Sequence, residues 1–219
     1  MADPRPALKV AVLLSGRGSN FRALAEACGA PDYPAEIVLA ISNRGDAAGL
    51  GIAADFAIPA TVIDHTGFDD RAAFEAALTE AIEAAGAELV CLAGFMRLLT
   101  SEFTDRWRDR LINIHPSLLP AFRGLDTHAR ALEAGVRFAG CTVHFVRPDM
   151  DDGPIIVQAA VPIRADDTPE DLAARVLAQE HRCYPLAVRW IAEGRVRVSG
   201  ATVRVEAAEA PDSALINPR

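Results

Sequence analysis

Residues 10–20 read Val10-Ala11-Val12-Leu13-Leu14-Ser15-Gly16-Arg17-Gly18-Ser19-Asn20, an unbroken apolar run that ends in a glycine-rich turn. A short continuous apolar segment closed by Ser-Gly suits a strand buried on both faces, as strands are in a parallel sheet. The next stretch, Phe21 to Cys28, has helical spacing. Ile37 to Ile41 repeats the apolar run and stops at Ser42-Asn43; Ala47 to Phe56 again has helical spacing, and Thr61 to Ile63 reads as a third, short strand. This βαβαβ order, with right-handed crossovers, predicts ligands at the carboxyl ends of the strands.

Further along, Phe74, Leu78 and Ile82 recur at helical spacing between Asp69 and Ala85, with Glu75, Glu80 and Glu83 assigned to the opposite, polar face. Leu89 to Ala93 returns as a central strand, and a strand at Leu111 to Ile114 is stopped by Pro116, which cannot donate to a ladder. Two more strands, Thr142 to Val146 and Ile155 to Val161, flank the acidic turn Pro148-Asp149-Met150-Asp151-Asp152-Gly153. Thr168-Pro169-Glu170-Asp171 offers a capping threonine, a proline at the first helical position and an acid at the third, and opens a helix running to about Glu193. The expected fold class is α/β: a single Rossmann-like domain over residues 1–205, with a twisted, mostly parallel sheet and helices on both faces, followed by a flexible C-terminal tail at 206–219.

Composition narrows the function classes. At 219 residues, 51% hydrophobic and 24% charged, the chain can bury a core and is too apolar to be disordered. A net charge of −8 argues against broad attraction to nucleic acid or an anionic membrane and leaves small phosphorylated substrates held by local donors. Cys28, Cys91, Cys141 and Cys183 include no C-x-x-C pair, so neither a zinc site nor a disulfide framework is expected, and a reducing cytoplasm is the simplest location. No apolar run approaches the roughly 18 residues of a spanning helix, and no export signal is read at the start.

Several residues can carry chemistry. Glycines in Ser15–Asn20 let the backbone aim N–H groups at an anion beside a helix terminus. The third glycine of a dinucleotide fingerprint would fall on Phe21, so a mononucleotide phosphate is the better ligand; the alternative is a tight turn capped by Ser19 or Asn20. Asn113 and His115 lie two apart at a strand end and therefore share a face, an amide beside an imidazole suited to an oxyanion at a carbonyl carbon. An ordinary hydrogen-bonded strand end is the alternative. Of Asp149, Asp151 and Asp152, Asp151 is the candidate to orient and charge the histidine, against the reading of a solvated turn. His65, His128, His144 and His181 have no metal-ligand spacing and read as structural, capping or exposed. Leu92 to Leu99 offers an adaptable apolar surface for a flat heterocycle, or simply a core strand passing into a buried turn. Glu180, taken alone, reads as a surface acid.

Together, Gly16-Arg17-Gly18-Ser19-Asn20, Ala93-Gly94-Phe95-Met96-Arg97, Asn113-Ile114-His115-Pro116-Ser117-Leu118-Leu119-Pro120 and Met150-Asp151-Asp152-Gly153-Pro154 resemble the phosphoribosylglycinamide formyltransferase family in order and spacing. The resemblance implies transfer of the formyl group of 10-formyltetrahydrofolate to the amino group of phosphoribosylglycinamide, in purine biosynthesis and without a metal. It implies a catalytic set of Asn113, His115 and Asp151. Gly18, Ser19, Asn20 and Glu180 would bind the ribonucleotide, and Arg71, Met96, Arg97, Leu98, Leu99 and Met150 the folate. The implied partners are these two small molecules, with neither nucleic acid nor membrane, and a monomeric or homodimeric enzyme. Asp126 and Asp152 depart from the commonest family pattern, which has histidine and glycine there. Rival readings are a formyltetrahydrofolate hydrolase, expected to carry a further domain ahead of the first strand, a methionyl-tRNA formyltransferase with a C-terminal RNA-binding domain, and a sensor without turnover.

Overall fold

The computed structural model describes residues 6–218. It builds a seven-stranded sheet in the order β3-β2-β1-β4-β5-β6-β7 and a separate two-stranded sheet, β8-β9. The chain divides into two compact units, up to Asn113 and from Ile114 onward.

In the first unit, β1 (Leu8–Leu14) pairs in parallel with β2 (Ala35–Ser42) and β4 (Leu89–Leu92), β2 with β3 (Ala60–Val62), and β4 with β5 (Leu111–His115). Val10 to Leu14 are at most 1% exposed, as an apolar run buried on both faces requires. The connecting helices are α1 (Ser19–Cys28), α2 (Gly49–Asp55), α3 (Arg71–Ala84) and a short α4 (Ser101–Arg106), with one turn of 3-10 helix at His65–Gly67. Phe74, Leu78 and Ile82 are the buried stripe of α3, as their spacing predicts.

Glu75 corrects the amphipathic reading, for it is buried too. Its carboxylate accepts the N–H of Thr100 at 2.8 Å and the Thr100 hydroxyl, while the Thr100 Oγ1 caps α4 through Phe103 N–H. A buried acid is tolerable because donors meet both carboxylate oxygens. Its partners lie 25 residues away, beyond the reach of a helical-wheel argument.

The second unit begins within β5. It contains α5 (Thr127–Glu133), the antiparallel pair β6 (Phe138–Phe145) and β7 (Ile155–Pro162), α6 (Pro169–Ala192) and the hairpin β8 (Val196–Ser199) and β9 (Thr202–Val205). The capping box of α6 forms as read: Asp171 N–H donates to Thr168 Oγ1 and Thr168 N–H to the Asp171 carboxylate. Near the chain end, the Asn217 side-chain amide donates to the carbonyls of Arg137 and Ile163 at 2.7 and 2.9 Å. The short α4, α5 and the β8-β9 hairpin are additions to the elements read from sequence, being too short to show a clear period.

Candidate active site

β5 ends at His115 because Pro116 cannot continue the ladder, and this fixes Asn113 and His115 two apart on one strand face. The backbone of Asn113 is in register with Leu92 of β4. His115 is 5% exposed. Its Nδ1 lies 3.4 Å from Asp151 Oδ2, and its Nε2 lies 3.1 Å from the Phe122 carbonyl. Both ring nitrogens thus face oxygen acceptors, which is the donor pattern of an imidazolium.

Asp151 corrects the solvated-turn alternative: its side chain is only 12% exposed. One oxygen, Oδ2, accepts the Gly124 N–H at 2.8 Å and faces His115, while Oδ1 lies 3.8 Å from His144 Nε2. The carboxylate therefore lies between two imidazoles. Asp151 itself takes a positive φ of 53°, a conformation that costs about 1 kcal/mol or more in a non-glycine residue and is tolerated when the surroundings fix it. The turn is closed by Gly153, where a Cβ would overlap the Phe145 carbonyl oxygen. Asp152, the departure from the family pattern, instead forms an ion pair with Arg123.

His144 is one of the four histidines that the sequence reads as structural, capping or exposed. Its contact with Asp151 joins β6 to the turn that follows it, which alternation along β6 alone does not reveal. His144 Nδ1 lies 2.9 Å from the Phe145 carbonyl, and its Nε2 faces Asp151. Burial holds its pKa below the ordinary histidine range; the Phe145 carbonyl and Asp151 oppose this shift and the charge of His115 adds to it. Half-buried His128, on α5, is also pushed down, by burial first and then by His115. In the sequence His144 is a lone histidine in an apolar strand, so nothing in the spacing singles it out.

Glu180 is 7% exposed on α6 and so is not a surface acid. Met150 is 53% exposed, an accessible thioether beside Asp151 in the same turn.

In the first unit, Gly18 is the N-cap of α1, with φ 75°, and Ser19 and Asn20 already belong to the helix rather than preceding it as caps. A Cβ at Gly18 would come within 2.8 Å of Gly49 Cα, so the left-handed turn and the close approach of α2 both call for glycine. The loop presents the start of a ten-residue helix, a geometry suited to an anion. Of the folate candidates here, Met96 and Leu98 are 65% and 59% exposed, and Leu99 is half-buried. This corrects the buried-turn alternative for the segment after β4. Arg71, the first residue of α3, and Arg97 line a cavity of about 280 Å³ with His65, Phe68, Asp70 and Phe74. Two guanidiniums and two phenyl rings fit a flat ligand that carries carboxylates.

Comparisons with known proteins agree with these motifs. The formyl transferase family model matches residues 8–188. A phosphoribosylglycinamide formyltransferase of Haemophilus influenzae is 40% identical over 209 residues, covering 95% of this chain and 99% of its own. The trifunctional purine biosynthetic protein adenosine-3 of Gallus gallus is 47% identical over 194 residues, 89% of this chain, but this chain spans only 19% of that protein's length. The crystal structure of glycinamide ribonucleotide transformylase 1 from Symbiobacterium toebii superposes with a TM-score of 0.89 at 48% identity, covering 91% of this chain and 94% of that one. The chain belongs to the formyl transferase family.

Proposed function

We propose that the protein transfers the formyl group of 10-formyltetrahydrofolate to the amino group of phosphoribosylglycinamide, giving the formylated ribonucleotide and tetrahydrofolate. The observation that carries this reading is the His115–Asp151 contact of 3.4 Å, at the end of the strand that also holds Asn113. Family membership and the names borne by relatives that match nearly end to end support the choice of substrates.

When bound, the folate supplies the formyl group on a nitrogen that can leave. Asn113 donates its amide N–H to the formyl oxygen as the substrate amine adds to the carbonyl carbon, and His115 donates Nε2–H to the same oxygen in place of the Phe122 carbonyl. Asp151 holds His115 through Nδ1 and takes up, through water, the proton that the amine releases; returning it to the folate nitrogen lets that nitrogen leave neutral. The Ser15–Asn20 loop holds the ribonucleotide phosphate through Gly18, Ser19 and Asn20, with Glu180 toward the amino end. Arg71 and Arg97 take the folate carboxylates, with Met96, Leu98, Leu99 and Met150 against its apolar parts. The reaction needs two small molecules and no metal, and suits a cytoplasmic enzyme acting as a monomer or homodimer.

The test is to mix the protein with both substrates and follow deformylation optically and the formylated ribonucleotide by mass. Deformylation that requires the ribonucleotide is the expected result. Deformylation of the folate alone would replace the proposal with a hydrolase.

A further inference from the structure

We propose that His65 is a specificity-determining residue for the acidic tail of the folate: protonated, it joins Arg71 and Arg97 as a third cation lining the cavity and favours folates bearing glutamyl carboxylates. This rests on the folate reading above and deepens it.

The argument begins with how the ring is held. Asp64 accepts the N–H and hydroxyl of Thr66 at 2.9 and 2.8 Å, which fixes the helical turn on which His65 sits. His65 Nδ1 lies 3.2 Å from Asn43 Nδ2 and 3.3 Å from the Asn43 carbonyl. The first contact serves a neutral ring, whose Nδ1 accepts; the second serves a ring whose Nδ1 carries a proton and donates. Asn43 can therefore hold His65 in either charge state, so a change of charge need not move the ring.

Asn43 is itself fixed. It is 2% exposed, and its Oδ1 accepts the Ser15 hydroxyl at 2.6 Å, while Ser15 Oγ accepts the Met96 N–H at 2.8 Å. One line of hydrogen bonds thus runs from the end of β1 and the start of the folate segment to His65. With Nδ1 engaged, Nε2 is the nitrogen left for a ligand in the cavity that His65 lines. The ring also packs edge-on to Phe74, with centroids 6.2 Å apart.

The charges around His65 set the ligand's sign. Asp64 lies 3.6 Å from Nδ1, and Arg44, whose charge acts on Asp64, is paired with Asp46. In the cavity, Asp70 is committed to capping α3 through the Ala73 N–H at 2.8 Å, leaving Arg71 and Arg97 to face the ligand. Adding a charge at His65 raises the preference for a carboxylate. Because its side chain is 25% exposed, screening keeps the effect to about three- to tenfold.

The experiment measures the Kd of two unreactive 5,8-dideazafolates, one with a glutamyl group and one without, from pH 5.5 to 8, where imidazoles change charge. In the wild-type protein the glutamyl analogue should tighten about three- to tenfold as pH falls, and the other should not. His65→Gln, which keeps a partner for Asn43 but cannot charge, should flatten the glutamyl profile at its high-pH value. As a check without substitution, the His65 ring proton titration followed by NMR should move to higher pH only with the glutamyl analogue, because linkage is reciprocal. Equal pH profiles for the two analogues, a profile unchanged in His65→Gln, or an NMR titration that ignores the tail overturns this proposal alone. Failure of both analogues to bind overturns the folate reading and this proposal with it.

Discussion

In the first unit, Arg71, Arg97 and His65 line an open cavity, whereas in the second, Asp151 lies between His115 and His144 with 12%, 6% and 2% of their side chains exposed. The same kinds of charged group behave differently in these places. In the cavity, water screens each charge, so a single cation adjusts affinity by a modest factor. Around Asp151 the low dielectric makes each charge costly unless its neighbours answer it, and a group that gains or loses a proton there alters the energy of its whole surroundings. The contrast supports the proposed division, with binding in the first cluster and proton transfer in the second.

Asp151→Asn is the sharpest way to break that division. It keeps the side chain's size, removes the charge between the two imidazoles and should lower kcat about 10³-fold or more, with much less change in folate Kd. A kcat within tenfold of wild type would remove Asp151 from the chemistry. Gly153→Ala probes the scaffold of the same turn: the added methyl overlaps the Phe145 carbonyl, and we expect a loss of about 3 kcal/mol, read from urea midpoints. An unchanged midpoint would mean that the turn is not the rigid support described.

In the other region, Arg71→Ala and Arg97→Ala should each raise KM for the folate about tenfold while leaving kcat within about twofold, the mark of lost ground-state binding. A fall in kcat with unchanged KM would erase the contrast between the clusters.

The smallest effect concerns pH. Burial depresses the pKa of His144 in the folded protein, so between that pKa and the unfolded value near 6.5 the unfolded chain binds a proton that the folded chain refuses. Stability is therefore full above about pH 6.5 and falls as pH drops below it, by at most about 1.4 kcal/mol per pH unit from this group. His128 acts in the same direction. Urea midpoints from pH 7.5 to 5.5 should decline less steeply in His144→Gln than in wild type; equal slopes would show that His144 does not resist protonation.

Much of this was legible in the residues because it rests on local rules. Val10 to Leu14 reads as a buried strand since no polar residue interrupts it, Pro116 marks the end of β5 by lacking an N–H, and Thr168 with Asp171 marks the start of α6. The pairing of Asn113 with His115 follows from strand alternation. Glu75 and Glu180 were misjudged for one reason: a helical pattern assigns acids to the solvent face, and only distant chain segments reveal that each is buried.

The sequence by itself determined the βαβ order, the placing of glycine at 18 and 153 and the family motifs, all of which depend on residue type and short spacing. The tertiary structure decided that Asp151 lies between His115 and His144, and that Ser15, Asn43 and His65 form one hydrogen-bonded line. Those contacts join residues 7 to 36 positions apart in one case and 22 to 28 in the other. Spacing along a chain states which side chains share a face of one element; which faces meet is set by the packing of the elements together.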